Sequence, residues 1–111
     1  MALQEKQLAQ ARPSGTSAVS IYSPASGVTA IIKNITICNT TGANVTFCVF
    51  HHDTGTTYDE STALYFEVTI DKRSTLSLTP FMAMNNDAGN LAVKTSVGNA
   101  LTFTVYGAEV I

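Results

Sequence analysis

The chain has 111 residues, 45% hydrophobic and 13% charged, with a formal net charge of −2. That length suits one domain around a single core, and the charged share is well below the ~25% of an average soluble domain. The charge balance gives no electrostatic basis for nucleic-acid binding, and no apolar run approaches the ~18 residues that carry a helix across a membrane.

Residues 1–16 are polar and read as an N-terminal arm, closed by Pro13 and Gly15. Its main apolar positions are Leu3 and Leu8. The arm can hold a short helical turn, but it buries little by itself. A polar arm stays disordered unless something ties it down. It is therefore expected to dock on a neighbouring subunit, with Leu3, Leu8 and Arg12 as contact residues. The stretch lacks the apolar centre of a signal peptide, so synthesis in the host cytoplasm is expected.

From residue 17 to 111 the sequence reads as one β domain. Val19 and Ile21 share a face, as do Ile31, Ile35 and Ile37, interrupted by Lys33. Val45, Phe47 and Val49 follow, then Leu64, Phe66, Val68 and Ile70, then Leu76 and Leu78. Leu91, Val93 and Val97 form the next set, and Leu101, Phe103 and Val105 the last. These are seven period-two segments separated by turn residues such as "NTTGA", "IDKR" and "VGNA". Residues 53–62 and 80–90 read as longer loops. The expected fold is all-β: an antiparallel sandwich, jelly-roll-like or Ig-like, with an extended N-terminal arm.

If the strands around Gly42 form a hairpin, its core residues must share one face. Cys38 and Cys48 then share the other face, about four residues apart. At ~3.3 Å per residue that is roughly 13 Å, too far for a disulfide. Two free thiols are expected. The same face carries Ile32 and Phe50, so Ile32, Cys38, Cys48 and Phe50 become candidates for a subunit interface. Sequons begin at Asn34, Asn39 and Asn44. A chain this rich in Asn and Thr produces them by chance, and glycosylation is not expected.

The stretch "FCVFHHDTGTTYDES" concentrates the groups that could do chemistry. Asp53-Thr54-Gly55 spells the aspartic-protease triplet. Such enzymes need two buried, hydrogen-bonded carboxylates and apolar residues before the Asp; here His51 and His52 precede it, and a polar loop follows. Neighbouring strand residues point to opposite faces, so His51 and His52 cannot both ligate one metal unless the strand has ended. Asp53, Asp59 and Glu60 could offer oxygens to Ca²⁺ from a folded loop, but no spacing compels it. No nucleophile elbow or glycine-rich phosphate loop is present. No catalytic, metal or cofactor site is expected. Tyr58 and Asp59 remain as candidate partner contacts in an acidic loop.

Residues 29–70 and 83–110 carry an Ile-rich strand ending in Cys-Asn-Thr-Thr-Gly, an acidic loop, an Asn-Asn and Gly-Asn approach, and a closing Ala-Leu-Thr-Phe-Thr-Val strand. In these features the chain resembles the small β-rich virion proteins encoded among the structural genes of tailed bacteriophages. The resemblance implies a non-enzymatic role on capsid or tail, as a decoration or accessory protein located in the virion. It implies other virion proteins as partners and a homo-oligomer, with a trimer favoured. The alternative is an adhesin whose loops 53–62 and 80–90 meet a host-surface glycan or protein. Its discriminating residues are Tyr58 and Asp59.

Overall fold

A computed structural model describes residues 2–111. They form nine strands: β1 (Leu3–Ala11), β2 (Val19–Tyr22), β3 (Thr29–Asn39), β4 (Val45–His52), β5 (Ala63–Ile70), β6 (Thr75–Leu78), β7 (Met82–Met84), β8 (Asn90–Thr95) and β9 (Leu101–Val110). All pairings are antiparallel: the nested pairs are β1 with β9, β2 with β8, β3 with β6 and β7, and β4 with β5, and β3 with β9 and β4 with β8 join them within each sheet. One sheet runs β1-β9-β3-β6, with β7 also on β3; the other runs β2-β8-β4-β5. The chain is thus doubled back on itself and rolled so that nested pairs alternate between the two sheets. That is jelly-roll order, which decides between the two sandwich types expected.

The core lies between the sheets. Phe47 on β4 and Phe103 on β9 meet edge to face, ring centroids 6.4 Å apart, and join one sheet to the other. Ile35, Ile37, Val45, Val49, Leu91, Val93, Leu101 and Val105 close around them, all buried as expected.

Several expectations change. The arm segment contains no helical turn; residues 3–11 are the edge strand β1, hydrogen-bonded to the chain's own β9. Polar sequence hides it, because an edge strand with one half-wetted face needs few apolar side chains. Ile32 is fully buried in the main core instead of lying on a second face. The cause is a bulge: Ile32 pairs with Gly107 and Asn34 with Tyr106, leaving Lys33 as an extra residue. A bulge shifts the inward set by one position, so Ala30 and Ile32 face the core before it, and Ile35 and Ile37 after it. A second irregularity between β4 and β5 turns Tyr65 and Val68 onto the core, while Leu64 and Phe66 stay exposed.

The β3–β4 connection is not a hairpin. It is an arch between sheets, since β3 and β4 belong to different ones. Both cysteines are free, as expected, but because they sit on separate sheets. Asn39 holds the arch: its buried amide donates to the carbonyls of Ala43 (2.9 Å), Ile70 (3.3 Å) and Asp71 (3.2 Å). Its Oδ1 accepts the Thr41 amide at 3.0 Å, forming an Asx turn. A glycan cannot be carried on that side chain in the folded protein.

Asn39→Asp removes the donor that faces three carbonyls and should lower stability by about 3 kcal/mol, read from the urea midpoint at neutral pH. Gly107 sits opposite Ile32 where an added Cβ would collide with the Ile31 carbonyl oxygen. Gly107→Ala should therefore destabilise by about 2 kcal/mol or more in the same measurement, despite the usual benefit of replacing glycine in a strand.

Candidate functional site

The end of β4 and the loop after it form a braced unit. His52 lies over Gly55, and its Nδ1 accepts the Thr57 amide at 3.0 Å. The Asn90 amide donates to the Gly55 carbonyl at 2.8 Å, and Gly89 packs against the Asp53 carbonyl so closely that an added Cβ would lie 2.5 Å from its oxygen. The 53–57 turn is thereby tied to the 86–90 turn. Asp53 is exposed, whereas acid-protease chemistry needs a buried carboxylate pair. Among the described residues, no three His, Cys, Asp or Glu side chains group as metal ligands.

Tyr58 and Asp59 serve the loop itself. The Asp59 carboxylate accepts the amide of Ser61 at 2.9 Å and its hydroxyl. These Ser61 hydrogen bonds hold its carboxyl below the usual range, with His52 adding to the effect. The ring of Tyr58 is half-buried on Phe50, centroids 6.3 Å apart.

Phe50, Cys48 and Ala92 form a second small core on the outer face of the second sheet, closed by Tyr58, Ala18 and Ala63. Cys48 Sγ accepts the Glu67 amide at 3.3 Å. The apolar second face inferred from the sequence therefore exists on β4, but the chain's own loops cover it. Cys48 and Phe50, at 4% and 1% exposure, are unavailable to a partner in the folded chain, as is Ile32.

The other expected contacts divide. Leu3 is 59% exposed, while Leu8 packs on the core. Cys38 is half-buried, paired between Thr75 and Thr102. Arg12 is exposed, and its guanidinium donates to the Asn99 carbonyl and to Thr40 Oγ1.

What fastens the N-terminal segment is a cluster that sequence reading missed. Glu109 on β9 takes Lys6 Nζ on one oxygen at 2.6 Å and the Tyr22 hydroxyl on the other at 2.6 Å. This joins β1, β9 and β2 across both sheets. Lys6, followed by Tyr22, holds the Glu109 carboxyl below its usual range. Burial, then Glu109, pushes the Tyr22 hydroxyl well above the ordinary tyrosine value. The three residues lie far apart in sequence, so only a known topology could have grouped them. Phe81 was also missed: it is 85% exposed, with φ of 48°. A large apolar residue directly after Pro80 in a polar loop was the available signal.

No family model matches the chain, and no curated protein does. Among solved structures, the fold is similar to a chain in the structure of infectious bursal disease virus, Gx strain. The TM-score is 0.55 at 11% identity, over 97% of this chain and 32% of that one. A chain of the Gt strain structure gives a TM-score of 0.44 at 11% identity, over 97% of this chain and 28% of that one. The protein thus spans about a third of these neighbours' length. At such identity the likeness concerns the fold alone.

Tyr58→Ala should expose Phe50 and cost about 2 kcal/mol in chemical denaturation. The pH dependence of the Glu109 cluster has a defined sign. Its folded carboxyl titrates below the free value of 4.5, so its contribution is complete above that value and fades as pH falls through the lower folded one. Acid unfolding curves should therefore steepen below about pH 4.5 in the wild type, and Glu109→Gln should flatten that limb.

Proposed function

We propose that this protein is a non-enzymatic structural component of a virus particle. The observation that carries the reading is the jelly roll, matched over 97% of the chain to part of a chain in a virus structure at a TM-score of 0.55. The low charge is consistent with a surface that meets neighbours, since desolvating charged groups opposes assembly. The finer assignment rests on the sequence resemblance: a decoration or accessory protein on the capsid or tail of a tailed bacteriophage, with other virion proteins and copies of itself as partners. Infectious bursal disease virus is not a tailed bacteriophage, so this likeness supports the virion reading and not the bacteriophage assignment. A trimer remains the favoured oligomer, as closed cyclic assemblies suit small β domains.

The adhesin alternative draws less support. Tyr58 covers Phe50 and Asp59 caps its own turn, so neither is arranged as a free sugar-binding group. Antiserum raised against the folded domain should label intact, purified particles of the encoding virus in immunogold electron microscopy. Purified particles that lack the protein, by labelling and by mass spectrometry, would remove the structural reading.

A further inference from the structure

The chain is poor in charge, yet both side-chain ion pairs among the described residues fasten β1. Lys6 meets Glu109 of β9 at 2.6 Å. Glu5 meets Lys33 of β3 at 3.5 Å, and this pair crosses over β9, which lies between β1 and β3. Lys33 is the extra residue of the β3 bulge, and a bulge re-aims a side chain in this way. Glu5 and Lys6 are consecutive in a strand, so the two pairs grip β1 from opposite faces of the sheet.

Little else holds β1. It pairs with β9 alone, and its other edge is free. None of its nine residues is buried, and the fully packed set between the sheets includes none of them. Leu8 and Ala9 touch that core from outside, and Gln10 Nε2 donates to Thr104 Oγ1 at 3.1 Å. Residues 14–17, which follow, form an exposed bend outside any strand. Lifting β1 away therefore costs a ladder that water can replace, one leucine contact and two ion pairs of modest worth. Segments with so few buried contacts open at a lower free energy than the whole domain.

We propose that β1 is a charge-fastened strap: residues 3–11 detach from β9 as a unit while the rest of the sandwich stays folded, and salt loosens them. This goes beyond the structural-component reading and does not depend on it. Opening bares the β9 edge from Phe103 to Val110, while the β9 groups turned towards β3 stay paired. Lys6, Glu5 and Lys33 have side chains 47%, 67% and 48% exposed, so dissolved ions reach both clips.

Residue-resolved amide hydrogen exchange by NMR on the full chain tests this with three proteins. They are the wild type, the double variant Glu5→Gln with Lys6→Met, and Ile70→Val. Ile70 is a core residue of β5 in the other sheet, away from β1. In the wild type, amides donating across the β1–β9 ladder should exchange at least about tenfold faster than β9 amides donating to β3. The double variant should speed the β1–β9 group about fivefold and remove most of its acceleration by NaCl. Ile70→Val weakens the closed and the strap-open forms equally, so it should speed the β3-bonded amides about fivefold and leave the β1–β9 group unchanged. If Ile70→Val speeds both groups alike, β1 opens only with the whole domain and the strap is overturned. An unchanged β1–β9 group in the double variant overturns the fastening by charge.

Discussion

The pairing of β3 with β9 is the constraint on which the fold depends. β9 is flanked by β1 and β3, and β3 also carries β6 and β7, so the whole first sheet is assembled around these two strands. Their ladder is not regular. The extra residue at Lys33 lets an eleven-residue strand bury apolar side chains along both its halves, and Gly107 allows the two backbones to approach at that point. A regular strand would have turned Ala30 and Ile32 to the outside.

From this ladder the second sheet follows. Phe103 reaches down from β9 to Phe47, and the arch at Asn39 carries the chain across to the other sheet. Loop 53–62 then folds back over that sheet and seals Phe50 and Cys48 with Tyr58. Three of the groups that could have suggested catalysis are spent on this closure. His52 and Asp59 hold the loop in shape, and Tyr58 covers a small core.

Period-two alternation was sufficient to find β4, β6, β8, β9 and the second half of β3, because each turns alternate side chains onto the core; Val97, expected inward with β8, lies beyond that strand and is 48% exposed. It was insufficient where backbone irregularity resets the alternation, which is why Ile32, Leu64 and Phe66 are on the opposite side from that expected. It could not separate an arch from a hairpin around Gly42, since both connect strands whose apolar faces point inward. β1 was invisible because "LQEKQLAQA" is held by backbone pairing and by the Lys6–Glu109–Tyr22 cluster, neither of which leaves an apolar pattern. The partner residues fared similarly: exposure of Leu3 and Arg12 follows from local polarity, whereas burial of Cys48 and Phe50 depends on a loop folding back over them.

The nesting of the strands has a consequence for biosynthesis. The outermost pair is β1 with β9, extended by Ala2 and Ile111, which exchange amide-to-carbonyl hydrogen bonds at 2.9 and 3.0 Å. β9, the last of the nine strands in chain order, is therefore the one that must insert between β1 and β3. Until it is available, β1 has no partner and β3 has one edge open, so the first sheet cannot be completed. Closure of the domain is consequently limited by long-range pairing. In that interval the unpaired edges are exposed to other nascent copies, the state in which β proteins are most prone to aggregate.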